Sequence, residues 1–331
     1  MTTERADFAI LGAGALGSIL GAYLARAGYS VVVLARGLRA SQIEREGLSI
    51  AGLDTFNQRV GVVSDPSRFP GAAVLVLATK THGSMAALEP LRESPVDVAL
   101  SVQNGLIKDE QLAAVFGPAR VLGALANTSG ELLSDGTALF TRNEQLAIGE
   151  LDGSVSERSQ RIARLIDASG IRATAVADIV SLEWSKFVSW AGLMIVSVTT
   201  RAATVDFLTD PDSTLVVVRI IRELGRLADA CSVPLSDQST LPVATICAGT
   251  EGQGVARLQA FAAEMRLRAP RHRMSSLQDL EAGRPLETDE TLGYALERAQ
   301  AAGVALPLLG SLYPLVRGIS RSVATPSGSS R

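Results

Sequence analysis

Cysteine is nearly absent: Cys231 and Cys247 are the only two in 331 residues. They make no metal-ligand spacing and no disulfide framework, so no metal is expected and a reducing compartment is the plain reading. The chain also lacks a concentrated basic run, and its net charge is −3. Both features argue against nucleic acid as a partner. No apolar run spans a bilayer comfortably; the longest, residues 187–200, falls short of the roughly 20 residues required. Residues 7–11 already read as a strand, which leaves no room for a signal peptide. A soluble cytoplasmic protein with no membrane partner is expected.

What the chain has is apolar material. It is 47% hydrophobic and 20% charged, enough for substantial cores, and long enough for two domains. The first 36 residues organise the rest. Asp7-Phe-Ala-Ile-Leu-Gly-Ala-Gly-Ala-Leu-Gly-Ser18 reads as a short apolar strand, a glycine turn and the start of a helix. Gly12 would make the tight turn, Gly14 would let the backbone approach a pyrophosphate, and Gly17 would let helix and strand pack closely. Gly12, Ala13, Gly14, Ala15, Leu16 and Gly17 are therefore candidate cofactor residues, with the helix N-terminus facing the phosphates. The motif alone is weak. Its setting, a strand before it and an Ala/Leu-rich helix after it, makes it a dinucleotide fold rather than an unliganded turn.

A further absence chooses the dinucleotide. NAD-binding versions usually carry Asp or Glu about 20 residues past the glycines, at the end of the second strand. Here that place reads Ala35-Arg36-Gly37-Leu-Arg39, with no carboxylate before Glu44. A guanidinium suits a phosphate, so Arg36 points to NADP(H) rather than to a solvated loop.

Down the chain, residues 48–63 alternate like edge strands. Residues 72–79 form a continuous apolar run, as a strand buried on both faces requires. Lys80 lies at its carboxyl end, the ligand side of open α/β sheets, where it could touch a cofactor phosphate. Residues 98–102 predict another strand, ending on Gln103-Asn104-Gly105; residues 137–142 and 145–150 predict a hairpin closing the sheet. Residues 156–169 predict an amphipathic helix and 171–176 the last strand. From residue 179 the pattern is wholly helical. The expected fold class is α/β: an N-terminal Rossmann-type doubly wound sheet (1–178), then an all-α domain (179–321). Residues 322–331 are Ser/Gly/Pro-rich and expected to be disordered.

Four stretches carry a resemblance to the ketopantoate reductase family: residues 10–18, Val102-Gln-Asn-Gly-Leu106, Glu183-Trp-Ser-Lys-Phe187, and residues 275–289, Ser-Ser-Leu-Gln-Asp-Leu-Glu-Ala-Gly-Arg-Pro-Leu-Glu-Thr-Asp. They span nearly the whole chain, and the last is the most specific. The resemblance implies NADPH-dependent reduction of a small-molecule 2-oxo acid to a 2-hydroxy acid, in a cleft between two domains, with a homodimer as the candidate assembly. Lys186 matches the family's catalytic lysine and Glu287 its active-site glutamate. Ser275 matches a serine that contacts the substrate carboxylate, and Asn104 an asparagine near the nicotinamide and substrate. By spacing alone, Lys186 would be a surface lysine and Glu287 one more charge in an acidic stretch. Ser275 would also open a capping box with Gln278, and Asn104 a plain Asn-Gly turn.

The chain departs from the family where the substrate's hydroxyls are held. Trp190, Met194, Thr204 and His272 stand where the family carries asparagines. Trp190, Thr204 and His272 thus become candidate substrate contacts, and a more apolar 2-oxo acid or ketone is expected than in pantothenate biosynthesis. The rival readings are an opine- or 3-hydroxyacid-type dehydrogenase and a non-catalytic NADPH-binding sensor. A sensor would need neither Lys186 nor Glu287.

Overall fold

A strand with no polar side to show belongs in the middle of a parallel sheet. Ala72–Leu77 reads AAVLVL and Ala6–Leu11 reads ADFAIL, with only Asp7 exposed. The computed structural model describes residues 4–324, and the chain divides into two compact units after Val180.

The first unit runs β1 (Ala6–Leu11), α1 (Ala15–Arg26), β2 (Val31–Leu34), α2 (Gly37–Glu46), β3 (Leu48–Gly52), β4 (Phe56–Gln58), β5 (Gly61–Val63), β6 (Ala72–Leu77), α3 (Ser84–Leu88), β7 (Val96–Ser101), α4 (Ile107–Phe116), β8 (Gly123–Leu132), β9 (Ala138–Gly149), α5 (Glu157–Ala168) and β10 (Ala173–Ala175). Five strands form one sheet in the order β5-β2-β1-β6-β7, all parallel. Alternate residues of β1 feed two cores. Phe8 and Ile10 pack with Ile19 and Leu24 of α1; Ala9 and Leu11 pack with Leu88 and Leu112 of α3 and α4. A second sheet, β10-β9-β3-β4 with β8 on β9, covers the outer side of α1 through Ile50, Phe140 and Ile148.

The predicted hairpin at residues 137–150 is not there. β9 runs unbroken for 12 residues and pairs antiparallel with β8 instead. Asn143 is no turn residue: its side chain donates to Gly170 O at 2.9 Å and accepts from Arg172 N at 3.0 Å, tying β9 to the approach of β10. Shifts in the β8–β9 register absorb the irregularity that the sequence pattern suggested as a turn.

The second unit is helical: α6 (Ile179–Thr200, whose first two residues precede the division), α7 (Thr204–Thr209), α8 (Pro211–Ala230), α9 (Val243–Ala248), α10 (Glu251–Arg268), α11 (Ser275–Glu281), α12 (Tyr294–Ala301) and α13 (Pro307–Ala324). The apolar run at 187–200 proves to be the end of a 22-residue helix, long and apolar enough by composition to cross a membrane. Most of that helix is buried inside the fold, which explains an apolar surface all round. The capping box expected at Ser275 is absent: Ser275 is the first residue of α11, after Met274, and makes no cap bond. The box forms at Thr250 and Gln253 on α10 instead. A π turn, Asp289–Gly293, precedes α12. α13 was not foreseen, because Pro314 lies inside it. Burial of Leu309 and Val316 outweighs that break. It carries residues 322–324, part of the expected disordered tail; residues 325–331 lie outside the described ones.

The start of α13 is capped from another helix. Glu223 of α8, itself buried, accepts from Leu308 N at 2.9 Å and Leu309 N at 3.0 Å. Glu223→Ala would strand two inward-facing N–H groups. Charge-assisted bonds are worth about 1.5–3 kcal/mol each, so a loss of roughly 3 kcal/mol is expected. The thermal midpoint should drop by several degrees while dinucleotide affinity, expected of the first unit, holds. An unchanged midpoint would show that the cap contributes little.

Candidate functional site

In the first unit the register brings four strand ends to one edge. Leu11 pairs with Leu34 and with Leu77, and Leu77 pairs with Ser101. Gly12, Arg36, Lys80 and Asn104 therefore all leave the sheet on its carboxyl side, the edge where open α/β sheets bind ligands.

The glycines have separable roles. Gly12 has φ of +109°, and a Cβ on it would lie 2.6 Å from Thr79 N. On Gly17 a Cβ would lie 2.0 Å from the Gly12 carbonyl oxygen, so this glycine sets how closely α1 approaches the turn. Gly14 is different. A Cβ there would meet only Ala78 O, at 3.9 Å, so no protein atom demands glycine. It caps α1 without a side-chain hydrogen bond, and Ala13, Ala15 and Leu16 complete the turn. A glycine required by nothing in the protein, at an uncapped helix N-terminus, leaves a cradle for an anionic group.

The two arginines after β2 have different surroundings. Arg39 is half-buried and committed to the protein: it donates to Ala13 O (3.1 Å), Ser18 Oγ (2.9 Å), Gln42 Oε1 (2.8 Å) and Gly136 O (2.9 Å). Burial holds its guanidinium below the usual arginine pKa. It braces the glycine turn from behind, a role the sequence did not reveal. Arg36 sits at the N-cap of α2, in extended backbone and exposed to solvent. Lys80 is exposed at the start of a short 3₁₀ turn. Asn104 is half-buried before the positive-φ Gly105, and Gln103 clasps the edge by donating to Thr79 O (2.8 Å) and Ser84 Oγ (2.7 Å). Four residues past Asn104 lies a buried lysine, also unforeseen: Lys108, 2% exposed, with its ammonium 3.0 and 3.1 Å from the Asp109 carboxylate oxygens.

In the second unit α6 carries Lys186 and Trp190 four residues apart, hence on one face one turn apart. Lys186 is half-buried between Ser185 and Phe187, both buried, and its carbonyl accepts from Ser189 Oγ at 2.8 Å. Trp190 is 7% exposed and packs on Phe187, ring centroids 6.4 Å apart. Met194 below it is fully buried. Thr204 and His272 are brought together: Thr204 N donates to His272 O at 2.9 Å, and Thr204 Oγ1 lies 2.9 Å from His272 Nδ1. Ser275 follows His272 and is exposed; Glu287 is half-buried just before the π turn. The chain on both sides of Glu287 is held by α13: Leu286 N donates to Ser320 Oγ (2.9 Å), and Tyr313 Oη donates to the Asp289 side-chain carboxylate (2.8 Å). Among the described residues no group of His, Cys, Asp and Glu is arranged to hold a metal.

Two family models match in tandem: ketopantoate reductase PanE/ApbA over residues 8–153, and its C-terminal counterpart over residues 178–320. A 2-dehydropantoate 2-reductase of Archaeoglobus fulgidus is 28% identical over 310 residues, covering 94% of this chain and 96% of that one. Among solved structures, a 2-dehydropantoate 2-reductase from Methylococcus capsulatus superposes with a TM-score of 0.77 at 25% identity, covering 97% of this chain and all of that one. D-mandelate dehydrogenase with NADH and anilino(oxo)acetate shares the fold at a TM-score of 0.81 and 17% identity, over 96% of this chain and 99% of that one. With the two models together matching most of it, the chain belongs to the ketopantoate reductase family.

Proposed function

We propose that this protein is an oxidoreductase that uses NADPH to reduce a 2-oxo acid to the 2-hydroxy acid. The observation that carries the proposal is the Gly14 cradle: space kept clear at an uncapped helix N-terminus, on the sheet edge that also presents Arg36. Gly12 to Gly17 would hold the pyrophosphate, Arg36 the 2′-phosphate, and Lys80 a further phosphate. When bound, the reduced nicotinamide supplies the hydride. Asn104 would stand at that end.

Delivery of a hydride to a ketone builds negative charge on its oxygen, so the protein must supply a proton there. Lys186 is the general acid in this reading, its ammonium donating to the carbonyl oxygen. Glu287 orients Lys186 and the substrate, and Ser275 takes the substrate carboxylate. The amides that would hold a hydroxylated acid are replaced by Trp190, Met194 and the Thr204–His272 pair, whose polar atoms already face each other. The substrate is therefore a 2-oxo acid with an apolar or aromatic side chain rather than ketopantoate.

The test is loss of NADPH absorbance with a panel of 2-oxo acids that includes ketopantoate, aliphatic and aromatic members. Turnover of apolar members with poor use of ketopantoate is expected. Efficiency on ketopantoate on the order of 10⁵ M⁻¹s⁻¹ or more, typical of a good enzyme, would overturn the substrate reading. No turnover with any member would overturn the reductase reading.

A further inference from the structure

Among the described residues, Trp190 breaks a rule that the rest of the second unit obeys. Its indole nitrogen is buried and has no hydrogen-bond acceptor. An inward-facing N–H without a partner costs about 1–3 kcal/mol, and buried donors are almost always paired. Replacing the ring by an aliphatic or phenyl group would remove that cost and keep the packing on Phe187. The donor is not needed by the fold.

We infer that the Trp190 N–H is a substrate donor, reserved for a carboxylate oxygen of the 2-oxo acid. This rests on the reading of Lys186 given above. Side chains four residues apart on a helix have Cβ atoms about 5–6 Å apart, a spacing that the adjacent ketone and carboxylate groups of one small acid can bridge. Lys186 takes the ketone oxygen and Trp190 the neighbouring anion. An indole donates and cannot accept. It therefore suits an acceptor-only oxygen, and leaves a substrate hydroxyl's own proton unanswered. Among acceptors, a charged oxygen gains most from such a donor. The nitrogen is also closed to water, so the acid must part the side chains over it to form the bond. Binding of the acid, more than its reduction, is the step the donor serves. The substrate class that follows is a 2-oxo acid with a free carboxylate and an apolar remainder.

Trp190→Phe keeps the ring and deletes the donor. It should lower kcat/KM for the best 2-oxo acid by about 10–100-fold, the worth of a hydrogen bond to a charged group, mostly through KM. Against the matching methyl ketone, which lacks the carboxylate, the loss should be much smaller. The ligand-free thermal midpoint should hold or rise, since an unpaired donor has gone. Equal losses on acid and ketone, or no loss on the acid, would overturn the inference. Should the variant fail to fold, the parent protein decides. The chain has only two tryptophans, so its nitrogen-15 spectrum has two indole resonances, which Trp184→Phe assigns. The Trp190 resonance should move downfield when the 2-oxo acid joins the NADP⁺ complex; an unmoved peak at saturation overturns the inference. Active parent enzyme with an indifferent Trp190 sinks this inference alone, whereas no reduction of any 2-oxo acid sinks the reductase reading with it.

Discussion

Lys186→Ala should cut turnover by roughly 10²–10⁴-fold, the usual contribution of a positioned general acid, and leave NADPH binding nearly intact. The expectation follows from where the charge develops. A hydride arriving at a ketone carbon leaves an alkoxide, and an alkoxide in a partly dry site is costly unless a proton reaches it. Lys186 is half-buried, on a helix whose neighbouring positions are packed, so its backbone is held in place. The cofactor cradle belongs to the other unit, which is why affinity for NADPH should survive. Lys186→Arg separates proton donation from simple electrostatics. An arginine keeps the positive charge but is too weak an acid to give up its proton. Its turnover should stay far below the parent's, although above that of the alanine variant. Steady-state NADPH oxidation gives the turnover, and cofactor fluorescence titration gives the affinity. Near-parent turnover in Lys186→Ala would return this residue to an ordinary surface lysine.

The features legible in the sequence were those whose physical cause is local. Gly17 is forced above all by the Gly12 carbonyl five residues before it, and the motif spelled out that close packing. The apolar run ending in Leu77 could only be an inner strand. Features that depend on distant partners stayed hidden. Arg39 braces Ala13, but one of its acceptors is Gly136, 97 residues away. Thr204 and His272 are separate substrate contacts in the sequence reading, and nothing in a separation of 68 residues says that they hold each other. The pattern predicts two strands where β9 is one, and the Asn143 amide between them is used to reach the approach of β10. At Ser275 the helix start is legible but the capping box is not there: Met274 takes the cap position, without a side-chain cap bond. The Trp190 nitrogen belongs to the same class, since composition says only that a tryptophan is there and burial says that its donor is idle.

Arg36→Ala should erase most of the preference for NADPH over NADH. In the parent that preference should amount to at least the ~1.5–3 kcal/mol of a charge-assisted hydrogen bond, or roughly 10–150-fold. Two arginines follow β2, and only one is placed to provide it. Arg39 spends its donors on the glycine turn and on Gly136, so removing it should loosen the turn and weaken both cofactors alike. Arg36 stands at the N-cap of α2 in extended backbone, exposed, on the strand end that usually carries the ribose-binding carboxylate. A phosphate there would meet a planar cation and the positive end of a ten-residue helix. Arg36→Ala takes away the first and leaves the second, so a small residual preference should remain. Titrating each dinucleotide into the parent, Arg36→Ala and Arg39→Ala separates the roles. Equal affinity of the parent for NADPH and NADH would sink the assignment of Arg36. A preference that survives in Arg36→Ala and vanishes in Arg39→Ala would transfer the role to Arg39, and the hydrogen bonds that now occupy that side chain would have to break for the phosphate to bind.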